Sequence, residues 1–256
     1  MDVDSQYGVN VSPRLALRID PVEGLILRAA IGCGFRAPSF SELLLDFQNS
    51  AANYRVKGNE SLDPESSIGA SVSAELTATR WLNLFVNLYH NELWDLIDSG
   101  LVEVTGGEQI FSYVNRDRAR TQGVEAIIDV RILRIIRAKL TYALTIAQDL
   151  EQNRPLPGRA RHRGAAQFIV GGGNAAWTLS TRCQLVGTRT FPADAQTGEI
   201  ALDRPAPAYA TVDARAAYRV IDPLELFLVA DNITDVQPES APLTPLTLYL
   251  GLNIVY

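Results

Sequence analysis

The sequence predicts an all-β fold, an antiparallel up-and-down transmembrane β-barrel of about 11–12 strands with short periplasmic turns and long extracellular loops. Three observations predict it. Apolar residues recur at every second position, in runs long enough to cross a bilayer as tilted strands. No stretch of about 20 apolar residues offers a helical span, and the longest charge-free run, residues 164–181, is interrupted by Gly171-Gly172-Gly173-Asn174. The connections between the alternating runs switch strictly between short and long.

Taken in order, the first strands are expected at residues 8–20 and 25–35, with residues 1–7 disordered or a partial first strand. Asp20-Pro21 supplies turn chemistry between them. Strands at 66–79 and 82–97 follow; in the second, Leu82, Leu84, Val86 and Leu88 alternate with Asn83, Phe85, Asn87 and Tyr89. Further strands are expected at 117–131, 136–149 and 162–171. In 175–189, Trp177, Leu179, Thr181, Cys183 and Leu185 alternate with Thr178, Ser180, Arg182 and Gln184. Strands at 208–220 and 224–233 flank Asp222-Pro223; Leu224, Leu226 and Leu228 alternate with Glu225, Phe227 and Val229. The last strand, 246–256, sets Leu246, Leu248, Leu250, Leu252 and Ile254 against Thr247, Tyr249, Gly251, Asn253 and Val255. One face is aliphatic and the other mixes polar, small and aromatic groups. No segment sustains a 3.6-residue stripe, but residues 39–47 can make a helical turn, with Ser39 capping and Glu42 three positions on, as in a capping box.

The short connections are 21–24, 80–81, 132–135, 172–174 and 221–223; the long ones are 36–65, 98–116, 150–161, 190–207 and 234–245. Consecutive antiparallel strands put successive connections at opposite ends of the sheet. All tight turns therefore lie at one end and all long loops at the other, the asymmetry of outer-membrane barrels. A soluble sandwich has no physical reason to sort its loops this way. Eleven strands leave an open edge, and unsatisfied backbone groups cannot face lipid. Either a twelfth strand lies within 109–114 or another chain completes the wall. A small closed barrel is expected if the chain is stable alone.

Composition limits the function. The chain has 256 residues, is 47% hydrophobic and 20% charged, and carries 23 basic against 29 acidic residues for a net charge of −6. That balance argues against a nucleic-acid partner. Cys33 and Cys183 cannot build a disulfide framework and are expected to be free. Of the basic residues only Lys57 and Lys139 are lysine, and the rest are arginine. Genome composition explains that bias, as does an arginine-lined polar lumen. His90 reads as a polar girdle residue and His162 as part of a solvated basic loop; neither sits at a metal or nucleophile spacing. Asp46, Asp63, Glu65 and Asp98 lie in or beside long loops within reach of a cation, without calcium-loop spacing. Trp81, Trp94, Trp177, Tyr89, Tyr142, Tyr218 and Phe227 are candidates for interfacial belts or for ordinary packing. Gly32-Cys33-Gly34 is too short for a nucleotide-binding loop and reads as a strand bend. No catalytic, cofactor or metal residues are assigned, and no cofactor is expected.

Tyr256, preceded by Ile254, Leu252, Leu250 and Leu248 at alternate positions, is similar to the C-terminal insertion signal that barrel assembly machinery reads as an added edge strand. Several motifs resemble the barrel of TonB-dependent outer-membrane receptors. They are Ser12-Pro13-Arg14-Leu15-Ala16-Leu17-Arg18, then Gly34-Phe35-Arg36-Ala37-Pro38-Ser39-Phe40-Ser41-Glu42-Leu43, then Gly58-Asn59 with Leu62 and Pro64-Glu65. Asn115 with Ala119 and Thr121-Gln122-Gly123-Val124-Glu125, Leu156-Pro157-Gly158-Arg159 with His162-Arg163, and Asp231-Asn232-Ile233-Thr234-Asp235 continue it in the family's order, across about residues 11–256. The resemblance implies a plugged barrel of about 22 strands that takes up iron chelates, cobalamin or similar solutes. The sequence departs from the pattern in having no energy-coupling box, no plug domain and about half the strands, and Thr244-Pro245 stands where Gly-Arg is frequent. Met1-Asp2-Val3-Asp4-Ser5 has no signal-peptide character, as expected of a mature chain or a fragment.

The expected function is passage or binding of a small solute, such as a metal chelate, by one barrel domain over 1–256 in the bacterial outer membrane. The lipid bilayer, the assembly machinery, and a self-associated or partner chain completing the wall are the expected partners. An outer-membrane phospholipase or protease, a small passive pore, and a soluble barrel are the alternatives. The first lacks a nucleophile–base constellation; the last conflicts with the leucines of 246–254.

Overall fold

Sustained alternation of apolar and polar side chains becomes strand throughout, because only a pleated backbone sends successive side chains to opposite faces. The computed structural model describes residues 2–4, 7–132, 135–171, 175–191, 204–238 and 243–254. Its elements are β1 (Asp2–Asp4), β2 (Gly8–Asn10), β3 (Arg14–Val22), β4 (Leu25–Arg36), α1 (Phe40–Leu44), β5 (Asp46–Asn49), β6 (Tyr54–Lys57), β7 (Glu65–Thr79), β8 (Leu82–Thr105) and β9 (Glu108–Ile132). They continue with β10 (Ile136–Asp149), β11 (Arg154–Pro155), β12 (His162–Gly171), β13 (Trp177–Val186), β14 (Arg189–Phe191), β15 (Arg204–Ala206), β16 (Tyr209–Ile221), β17 (Leu224–Asp231) and β18 (Thr247–Ile254).

Eleven of these strands form the wall, an antiparallel meander in the order β3-β4-β7-β8-β9-β10-β12-β13-β16-β17-β18. Register lines the aliphatic residues up across strands. Leu88 stands opposite both Val72 and Val124, Leu84 opposite Leu76 and Ile128, and Leu228 opposite Ala216 and Leu250. This face is exposed: Leu250 is 83% and Leu15 72% accessible, and among the described residues no second layer packs on it. Burying a leucine stabilises a protein by about 1.5–3 kcal/mol. A chain that forgoes this at dozens of positions in water has little left to offset its backbone entropy. Hydrocarbon is the solvent such a face fits. Trp177 stands opposite Tyr218 at the tight-turn border of the face, and Tyr142 donates to or accepts from His162 Nδ1 at 2.7 Å near the other border. No helix among the described residues is long and apolar enough to cross a membrane, so the crossing elements are strands.

The structure departs from the sequence reading in five places. The wall is not closed: β3 and β18 are its edges and do not pair with each other, so the small closed barrel is not formed. Residues 98–116 are not a loop, because β8 and β9 continue to Thr105 and Glu108 and join at Gly106-Gly107, whose φ values of 62° and 89° suit glycine. Residues 109–114 are strand but belong to β9, so no twelfth wall strand arises. The connection 36–65 holds α1 and the hairpin β5–β6, with β6 pairing parallel to β9 at Gln109 to Ser112. The expected strand 8–20 splits, since β2 pairs with β1 and the wall starts at Arg14. The expected turn 172–174 lies outside the described residues.

A small core sits at the long-loop end, where Ala119, Ala147 and Leu156 pack with Leu93 and Leu96.

Candidate functional site

The face opposite the aliphatic one is the lumen wall. Alternation delivers Ser71, Ser73 and Glu75 from β7, Asn83, Asn87 and Asn91 from β8, and Thr121, Glu125 and Asp129 from β9 to that face. Its arginines meet carboxylates across strands: Arg28 and Glu75 at 2.9 Å, Arg137 and Asp129 at 2.5 Å, Arg215 and Glu225 at 2.7 Å. Arg215 also lies over the Phe227 ring, 5.0 Å from its centroid. Three of the lumen-facing arginines are thus matched by carboxylates on neighbouring strands. Tyr89 crosses β9 at Gly123 to reach Thr145 Oγ1 at 2.9 Å; a Cβ there would lie 2.1 Å from the Leu144 carbonyl oxygen and 2.7 Å from the Tyr89 hydroxyl. The glycine of the Thr-Gln-Gly-Val-Glu motif is thus required by close approach. A concavity of about 540 Å³ opens on this wall, lined among others by Glu125, Thr141, Arg163, Gln184 and Tyr209. That volume suits a small ligand.

The rim above the lumen is tied down by polar side chains. Ser39 Oγ accepts from the Glu42 amide and Glu42 Oε2 from the Ser39 amide, closing the expected capping box. Arg36 bridges Glu42 at 2.9 Å and Glu65 at 2.6 Å, and Glu65 accepts the Ile97 amide. Burial pushes the Glu42 carboxyl up, but hydrogen bonds from Arg36 and Ser39 outweigh it and hold the pKa below its ordinary value. Asn115 Oδ1 accepts the Asp63 amide while its Nδ2 donates to the Asp63 and Asp95 carbonyls. Arg116 donates to Asp98 at 2.7 Å and to the buried Asp149 at 3.0 Å, and Asp149 also accepts the amides of Glu151 and Gln152. Phe47, Tyr54 and Phe111 pack the β5–β6 hairpin on β9 with centroids 6.1 and 6.4 Å apart. Asn232, at φ 51°, donates from Nδ2 to the Val236 and Thr244 carbonyls and so gathers the last long loop.

The predicted residues divide as follows. Leu248, Leu250, Leu252 and Ile254 stand exposed on the aliphatic face of edge strand β18, and Tyr256 lies outside the described residues. Three of the four candidate cation ligands point elsewhere: Asp46 pairs with Arg55, Glu65 with Arg36 and Asp98 with Arg116. No metal-binding group of His, Cys, Asp and Glu forms among the described residues. His90 bonds Gln122 and Glu92, on the aliphatic face but above it. His162 stands at the expected strand start, as the first residue of β12, rather than in the basic loop before it. Of the aromatic candidates, Trp177, Tyr218 and Tyr142 border the aliphatic band, Trp81 stands in a tight turn, and Trp94 lies higher on β8. Tyr89 and Phe227 face the lumen. Cys33 and Cys183 are free. The Arg116–Asp149 contact escaped sequence reasoning, although Arg116, Arg118 and Arg120 at alternate positions of one strand were a legible signal of a charged stripe.

Known proteins share this geometry. The sequence profile described as "TonB dependent receptor-like, beta-barrel" matches residues 2–233. The iron-regulated outer membrane virulence protein of Vibrio cholerae is 24% identical over all of this chain and 41% of its own length. The vitamin B12 transporter of Vibrio vulnificus is 23% identical over 98% of this chain and 37% of its own. The ferric enterobactin receptor of Pseudomonas aeruginosa superposes with a TM-score of 0.77 at 19% identity, over 97% of this chain and 41% of that one. The siderophore receptor PirA of Acinetobacter baumannii gives 0.76 at 16%, over 97% and 41%. The chain thus spans about two fifths of the length of the relatives it matches.

Proposed function

The chain belongs to the TonB-dependent receptor-like β-barrel family, and on that premise we propose that it builds wall and extracellular rim of an outer-membrane barrel that binds or passes a small solute such as a metal chelate. The observation that supports this reading most is the two-solvent sheet: exposed leucines on one face, polar and charged groups and a ligand-sized concavity on the other. Relatives named for vitamin B12 and ferric enterobactin set the class of solute to try. Residues 1–256 act as one continuous domain within that barrel.

Strand parity bears on closure. Eleven alternating strands leave β3 and β18 running in the same direction, so joining them directly would make a parallel seam. An odd number of further strands, from another segment or another chain, keeps the antiparallel ladder and satisfies both edges. The assembly machinery would dock on β18 by strand addition, reading Leu248, Leu250, Leu252, Ile254 and Tyr256 as an insertion signal.

Reconstitution tests the reading. The protein in lipid vesicles is expected to bind a ferric catecholate or cobalamin, measured by equilibrium dialysis, and to leave planar bilayers without stepwise conductance. Conductance steps without ligand binding would favour the passive pore, and failure to enter vesicles even when the strands that close the wall are supplied would overturn the membrane reading.

A further inference from the structure

On β8 and β9 the aliphatic face changes character abruptly. Going toward the rim, opposed pairs read Val86 with Ala126, Leu88 with Val124, then His90 with Gln122, Glu92 with Arg120 and Trp94 with Arg118. The same face that meets lipid at Leu88 thus carries three potential cations two to six residues higher. Four residues at about 3.3 Å rise, tilted by about 40°, lift Glu92 about 10 Å above Leu88. Counted from Leu82 at the tight-turn end, Glu92 stands ten residues, or about 25 Å, up the wall, at the top of the apolar band where the headgroups begin.

The side chains are arranged to present donors outward. Glu92 is buried beneath them and accepts Arg118 Nε at 3.0 Å on one oxygen and Arg120 Nε at 2.8 Å on the other. His90 Nε2 lies 3.2 Å from the same carboxylate. Both guanidiniums therefore use only their Nε edge within the protein. Their Nη amines have no protein partner among the described residues, and the side chains are 52% and 32% exposed. One carboxylate against two guanidiniums leaves a positive surplus on a chain whose overall charge is negative. Two splayed guanidiniums fit phosphate oxygens better than any other abundant group at that depth.

We propose that Arg118 and Arg120, oriented by Glu92 and flanked by His90, form a binding site for the phosphate of an anionic phosphorylated lipid headgroup in the leaflet at the long-loop end. The site continues the lipid-facing band, so one lipid places its chains on Leu88 and Val124 and its phosphate on the arginines. This rests on the membrane reading above, and the test separates the two.

Lipid A bearing both phosphates, titrated into the detergent-folded protein, is expected to change tryptophan fluorescence, since Trp94 stands opposite Arg118. Dephosphorylated lipid A should bind at least about tenfold more weakly. The double variant R118Q/R120Q should lose about tenfold in affinity for the phosphorylated form and nothing for the dephosphorylated one. Equal affinity for both lipids, or an unchanged R118Q/R120Q variant, overturns the proposal, as does displacement of the lipid by inorganic phosphate at matched concentration. Vesicle insertion of R118Q/R120Q, scored separately, reports on the membrane reading alone.

Discussion

Strand β17 stops after eight residues, whereas β8 and β9 run for 24 and 25. A tilted strand needs about 9–11 residues to cross a bilayer, so β17 ends close to where the bilayer ends and the β8–β9 pair carries on into water. The two regions are held by different means. In the band, side chains face hydrocarbon and the sheet needs only its ladder and its aliphatic surface. Above the band, the same strands must bring their own core and their own polar network, which is where the buried Asp149, the Arg116 fork, Ala119, Ala147 and Leu156 are found. One ladder therefore serves two solvents, and its side chains change where the solvent changes.

The largest test of that contrast is at the rim. Asp149→Ala leaves the nearly buried Arg116 without its better-shielded partner and is expected to cost about 3–5 kcal/mol, read as a shift of the urea midpoint of the protein folded in detergent. A cost under about 1 kcal/mol would show that the rim does not depend on the pair. In the band, Leu250→Arg puts a charge on the lipid face and is expected to cost about 2–4 kcal/mol, seen as a smaller folded fraction by heat-modifiable gel mobility in vesicles. An equal effect in detergent-free water and in lipid would break the assignment of that face to hydrocarbon.

Smaller effects sharpen the picture of the crown. Ser39→Ala removes the cap of α1 and is expected to cost about 0.5–2 kcal/mol, visible as faster hydrogen exchange at Glu42 and Leu43 with the wall unaffected. Acid should act on the same place. The Glu42 carboxyl titrates below its ordinary value of 4.5 in the folded chain. Its contribution is complete above about pH 4.5 and is lost as pH falls through the lower folded value. Protection of α1 should weaken below pH 4.5 while the β12–β13 ladder keeps its protection; simultaneous loss would mean that the crown and the wall unfold together.

Much of the wall was legible because its determinants are local. The turn pairs Asp20-Pro21 and Asp222-Pro223, the alternation around Leu84 and Leu226, and the Ser39/Glu42 capping box each specify conformation within a few residues. Residues 98–116 misled for a physical reason. Val102, Val104, Gly106 and Gly107 lie beyond the membrane, where strand is maintained by pairing rather than by lipid, so the apolar alternation fades although the ladder continues. The rim network was invisible for another reason: its partners are far apart in sequence, as with Arg116 and Asp149 or Asn115 and Asp63.

The order of residues alone determined that this is a meander of membrane-crossing strands with tight turns at one end, because side-chain period and turn chemistry are short-range properties. Tertiary structure decided the rest: which arginine meets which carboxylate, that β6 leans on β9, that Glu92 meets two guanidiniums, and that among the described residues the wall has two unpaired edges. Those outcomes depend on register between strands tens of residues apart, and register is settled only when the whole sheet pairs.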